Sequence, residues 1–168
     1  MSVPEDWARA YARQADADFR AWDIYQQHPK AVSAECHKLL FLQMACEKLC
    51  KAHLIRKGSL PTSLQASHGY IAKPLPVIIK QEISLRNRKL KNAAWLARHV
   101  AHLSQEIELL NPAVQRAGHR PDNCEYPWES ADKVMSPLDH SFAIPRLVVA
   151  PAGRTFLKLV RSAIDRNI

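Results

Sequence analysis

Glycine is scarce in this chain, with four residues among 168. A turn-rich β-sandwich would use many more, so that architecture is disfavoured. The four cysteines, Cys36, Cys46, Cys50 and Cys124, form no spaced framework, and three of them share one helical stretch. Reduced thiols in a cytoplasmic protein are therefore expected, not a disulfide scaffold. No apolar run reaches the length of about eighteen residues that a membrane-spanning helix needs. The opening MSVPEDWARAYARQADADF is charged and lacks the apolar core of a signal peptide. Internal repeats and low-complexity tracts are also missing. These absences leave one cytoplasmic domain over residues 1–168, with no membrane contact.

Helical periodicity fills most of that domain. The stretch Glu35 to Lys57, ECHKLLFLQMACEKLCKAHLIRK, has no Gly or Pro and one β-branched residue, Ile55, which predicts about six turns. Leu39, Leu42, Cys46, Leu49 and His53 recur at helical spacing. Leu40, Met44, Ala45, Ala52 and Ile55 widen that stripe into a face that must be covered on more than one side. Glu47 and Lys51 form an i,i+4 pair, expected to contribute tenths of a kcal/mol.

The eleven prolines act mainly as punctuation between such segments. A first helix is expected from about Pro4, with Glu5 and Asp6 in its acidic first turn, to Gln27, where His28-Pro29 stops it. Ser33 is placed to cap the second helix. Residues 58–68 read as a loop. A short helix from about Leu75 to Leu85 would turn Val77, Ile78 and Ile83 inward. Another, from Leu90 to Leu110, would bury Leu96, Val100, Leu103, Ile107 and Leu110 before Asn111-Pro112 ends it. An irregular flap of about residues 111–140 then leads to a terminal helix from near Pro151, with Phe156, Leu159, Val160 and Ala163 inward. The expected fold is all-α: an up-and-down bundle of four to five helices with a long irregular loop before the last.

Net charge is +8, and its placement says more than its size. Residues 51–120 hold twelve Lys and Arg against three Asp and Glu, an excess of nine, whereas the flanking thirds are near neutral. Such a segment suits contact with a polyanion. Arg86, Arg88, Lys89, Lys91 and Arg98 are its candidate phosphate-binding residues.

The second helix and its sequel resemble the HEPN family of small helical bundles. The resemblance rests on CHKLLFLQMACEKLCKAHLIRKG and SHGYIAKPL: a Gln-x-x-x-Glu-Lys-x-x-Lys-Ala core at Gln43, Glu47, Lys48, Lys51 and Ala52, then Ser67-His68 opening the next segment. The first helix, with Asp16, Asp18 and Phe19, is also similar to the family pattern. The resemblance implies a homodimeric bundle working beside a nucleotidyltransferase, in a toxin–antitoxin pair or in antiviral defence. Many members are metal-independent ribonucleases that use Arg followed, after four to six residues, by His. No Arg here is followed by His at that spacing; Arg120 instead reaches Tyr126.

Three functions follow from these residues. The chain reads first as a module binding RNA or another phosphate-bearing ligand. The enzyme reading makes it a divergent ribonuclease or nucleotide-modifying factor, with Arg120 and Tyr126 as its catalytic candidates. The third is a scaffold that binds a protein partner encoded nearby. Neither a cofactor nor a metal is expected. Cys46, Cys50 and His53 have metal-ligand spacing but lie on the core stripe. His99 and His102, near Glu106, read as packing residues. Tyr126 and Trp128 read as an ordered plug at the open end of the bundle.

Overall fold

The computed structural model describes residues 3–28, 34–65, 67–85, 93–114 and 123–168. Among them the protein is an all-α bundle. Its helices are α1 (Val3–Gln27), α2 (Glu35–Arg56), α3 (Pro61–Gln65), α4 (Pro74–Leu85) and α5 (Ala93–Leu109). A short antiparallel hairpin, β1 (Trp128–Ser130) and β2 (Lys133–Met135), precedes α6 (Ile144–Val149) and α7 (Pro151–Asn167). No helix among the described residues is long and apolar enough to cross a membrane.

Helix α2 packs against α1, α4, α5 and α7, as its wide apolar face requires. Leu39, Leu42, Ala45, Cys46, Leu49, Cys50 and Ala52 are all fully or almost fully buried. The pairing of α1 with α2 is the most extensive in the molecule. Ala8, Ala12 and Ala15 explain it: they fall at helical spacing, are wholly buried, and have no bulk to hold the helices apart. Beyond them the same α1 face widens into Phe19 and Trp22, whose ring centroids lie 5.1 Å apart.

Helix α2 ends in a Schellman turn. The Gly58 N–H donates to the Ile55 carbonyl at 2.9 Å and the Ser59 N–H to Leu54 at 3.0 Å. Gly58 has φ of 96°, a region that disfavours any side chain with a Cβ. Charged groups then tie the helices together. Arg161 of α7 pairs with Asp16 of α1 at 2.6 Å. The buried Glu82 of α4 accepts from Ser162 Oγ and Arg166 Nε of α7, both at 2.8 Å.

Four expectations change. Val77 is about half exposed, because α4 buries Leu75, Ile78, Ile79 and Glu82, and Val77 lies off that stripe. Residues 61–65, expected as loop, form α3, and α6 is an additional short helix. The flap is not wholly irregular: it contains the β1–β2 hairpin, turned through Ala131 and Asp132 with positive φ at both. Of the two aromatic plugs, only Trp128 is buried, edge-on to His140, which in turn packs edge-on to Phe142. Tyr126 is 55% exposed. Ser33 and the start expected for the fifth helix, Leu90, lie outside the described residues.

Candidate functional site

Of the residues proposed from sequence for phosphate contact, Arg86, Arg88, Lys89 and Lys91 lie outside the described residues, as does Arg120. Arg98 is exposed on α5. Tyr126 follows a turn in which Asn123 Oδ1 accepts the N–H of Glu125 at 3.0 Å and of Tyr126 at 2.8 Å. The Cys124 N–H, donating to the Leu110 carbonyl at 3.1 Å, fixes that turn at the C-terminal end of α5. Arg98 and that anchor point are about 18 Å apart along the helix axis, so Arg98 and the Tyr126 turn occupy different ends of α5.

The histidines of α5 are engaged locally. His99 Nδ1 meets the Trp95 carbonyl at 2.9 Å and its ring packs on Trp95, while His102 Nδ1 stands 4.0 Å from Glu106. Cys46 and Cys50 are wholly buried. Burial pushes the Cys46 thiol up to about 12. Burial also raises Cys50 well above its ordinary value, with Cys46, Glu108 and Glu47 adding to the effect. Both remain neutral thiols and serve as core.

A polar cluster that the sequence spread over twenty-six positions is assembled around Glu47. One turn earlier on α2, Gln43 donates Nε2–H to Glu47 Oε2 at 2.8 Å. One turn later, Lys51 Nζ lies 2.7 Å from Oε1. His68, on the strand of chain that leads to α4, brings Nδ1 to the same oxygen at 3.1 Å. Gln43, Glu47 and Lys51 are buried at 1%, 7% and 4% exposure, whereas the His68 side chain is 45% exposed. Lys51 Nζ also sits 6.0 Å from the Tyr70 ring centroid, which places a second partner over a cation already removed from water.

The far side of this loop is fixed by α5. Glu108 Oε1 accepts the N–H groups of Ile71 at 2.7 Å and Ala72 at 2.9 Å, just ahead of α4. A second, part-buried link joins α1 to α2, where Lys48 meets Asp18. Burial raises the Asp18 carboxyl, and the Lys48 hydrogen bond and charge oppose that effect without cancelling it.

No protein-family model, curated protein or solved structure matches this chain. The reading of the site rests on its own geometry. Gln43, Glu47, Lys51 and His68, all drawn from the second helix and its sequel, share one cluster, and Lys48 and Asp18 form another. Chemically, the Glu47 cluster holds a charged pair out of water and orients one half-exposed imidazole. A neutral His68 that donates from Nδ1 to Glu47 carries its lone pair on Nε2, the arrangement of an oriented base.

Sequence reasoning assigned His68 no chemical role. The only signal for one was its place after Ser67, because its partner lies twenty-one positions earlier on another element.

Proposed function

We propose that this chain is a HEPN-like binding module for RNA or another phosphate-bearing ligand, acting as a homodimer in a defence or toxin–antitoxin setting. The observation that carries the binding reading is the disposition of charge in residues 51–120. All three acids of that segment are at least partly buried. Glu82 serves Ser162 and Arg166, Glu108 serves two backbone N–H groups, and Glu106 faces His102. Lys57, Lys73, Lys80 and Arg98 are exposed. Among the described residues of the segment, these four cations are thus presented to solvent while its acids are occupied, which favours a polyanionic partner.

Binding of a single-stranded RNA should weaken steeply with salt. The double substitution Lys80→Glu/Arg98→Glu should lower affinity by about tenfold or more and reduce the salt slope by roughly 0.7 for each phosphate no longer neutralised. A titration across salt concentrations measures both. Absence of RNA affinity at low salt would remove this reading. For the homodimer, one apolar cleft among the described residues, of about 490 Å³ between α4 and α5, is lined by Pro76, Val77, Ile83 and Ala97 together with Lys80.

One observation favours the enzyme as a second reading: the half-exposed His68 held by buried Glu47. A mixed RNA pool incubated with the protein tests it. Cleavage that falls by about a hundredfold or more in His68→Ala marks a general acid or base. Cleavage lost in Arg120→Ala instead favours the Arg120–Tyr126 pair, and intact RNA leaves the binding module ahead.

A further inference from the structure

Helices α1 and α7 line a cleft of about 520 Å³, within the range of roughly 300–1,000 Å³ that small-molecule sites occupy. Each helix turns one face toward it. Phe19, Trp22 and Asp23 come from α1 at i, i+3 and i+4, and Arg154, Leu157, Lys158 and Arg161 come from α7 at i, i+3, i+4 and i+7. The floor is apolar, built on the Phe19 and Trp22 rings and the Leu157 side chain. The two rings are themselves 5% exposed, so they form a fixed base and not a mobile cover.

The charges around that floor are not equivalent. Arg161 is already neutralised by Asp16 and Asp165, and its guanidinium carbon lies 5.6 Å from the Phe19 ring centroid. Arg154 and Lys158 are exposed, and no carboxylate among the described residues pairs with either. Arg154 spends one guanidinium nitrogen on the Val149 carbonyl, which restrains its stem. Across the cleft, Asp23 accepts a hydrogen bond from Gln27 and keeps further acceptor capacity.

We propose that this cleft binds one nucleotide unit, with the phosphate on Arg154 and Lys158 and the base over the Phe19–Trp22–Leu157 floor. Asp23 then accepts from a base amine or ring N–H, as carboxylates do from nucleobase donors. The inference deepens the phosphate-ligand reading and rests on it. The same chemistry is supplied by a free nucleotide or by one residue of a single-stranded RNA.

The test uses the full chain and three kinds of probe: cytidine and guanosine 5′-monophosphates, the matching nucleosides with inorganic phosphate, and a short single-stranded RNA. Equilibrium dialysis should show a monophosphate binding about tenfold or more tighter than its nucleoside or phosphate alone, because both halves of the cleft must be filled. Arg154→Ala/Lys158→Ala should weaken monophosphate binding about tenfold or more, since both phosphate partners are removed. Both residues are exposed, so the unfolding midpoint should remain within a few degrees of the parent.

Asp23→Ala removes the acceptor for the base and should weaken binding severalfold. Saturable monophosphate binding without RNA binding upholds the cleft, assigns it to free nucleotide and overturns RNA as the partner. RNA binding that stays salt-dependent but is unmoved by the double substitution overturns the cleft alone. No saturable binding of either monophosphate also overturns it.

Discussion

Glu47→Ala should destabilise the protein by about 3–5 kcal/mol, the cost of leaving a buried charge without its partner. Lys51 is 4% exposed, and its ammonium meets Glu47 Oε1 at 2.7 Å. Removing the carboxylate also strips Gln43 of the acceptor for its Nε2–H and releases His68, with the loop that carries it into α4, from α2. Urea unfolding measures the loss directly. Glu47→Leu/Lys51→Met should recover much of it, because two apolar side chains of similar volume leave no charge in the core. His68→Ala should cost far less, since that ring is nearly half in solvent. A Glu47→Ala loss under about 1 kcal/mol would mean that the pair behaves as a solvated i,i+4 bridge.

That contrast shows where the sequence was readable. The spacing of Glu47 and Lys51 gives an i,i+4 pair in either case, but spacing cannot tell whether a second element covers it. Here α2 is enclosed by four other helices, so a pair of ordinary surface type is drawn into the interior. The main helices were legible because their burial follows a local period: Leu96, Val100, Leu103, Ile107 and Leu110 of the α5 region are all buried as their spacing requires. Val77 was misplaced because the Pro-broken start of α4 left the phase of a short helix undetermined. The hairpin was missed because Ala131-Asp132 does not carry the Asn-Gly or Asp-Gly signal that usually marks such a turn. The α1–α7 cleft was unreadable for a different reason. Its cations lie more than a hundred positions from its aromatic floor, and the basic excess that drew attention lies elsewhere in the chain.

Gly153→Ala should be nearly as damaging as loss of Glu47, although glycine near a helix start carries no warning in sequence. In an exposed helix this substitution would gain up to about 1 kcal/mol through helix propensity. Here a Cβ would stand 2.1 Å from the Leu147 carbonyl oxygen and 2.5 Å from Val148 Cα. Both are backbone atoms of α6, so no side-chain rotation relieves the overlap. Helix α6 is joined to α7 through Ala150 alone and could separate only by withdrawing Ile144 and Val148 from the core, where they are 2% and 5% exposed. Overpacking of this kind costs about 3 kcal/mol or more, enough to outweigh the propensity gain. Gly69→Ala provides the comparison, because an added Cβ there meets nothing within 4 Å. Thermal unfolding of the two variants should therefore separate them clearly, with Gly69→Ala close to the parent and Gly153→Ala lower by roughly 6–12 °C for a domain of this size. Equal midpoints would show that α6 yields without loss of packing and that its close approach to α7 contributes little to holding the last helix against α1, α4 and α5.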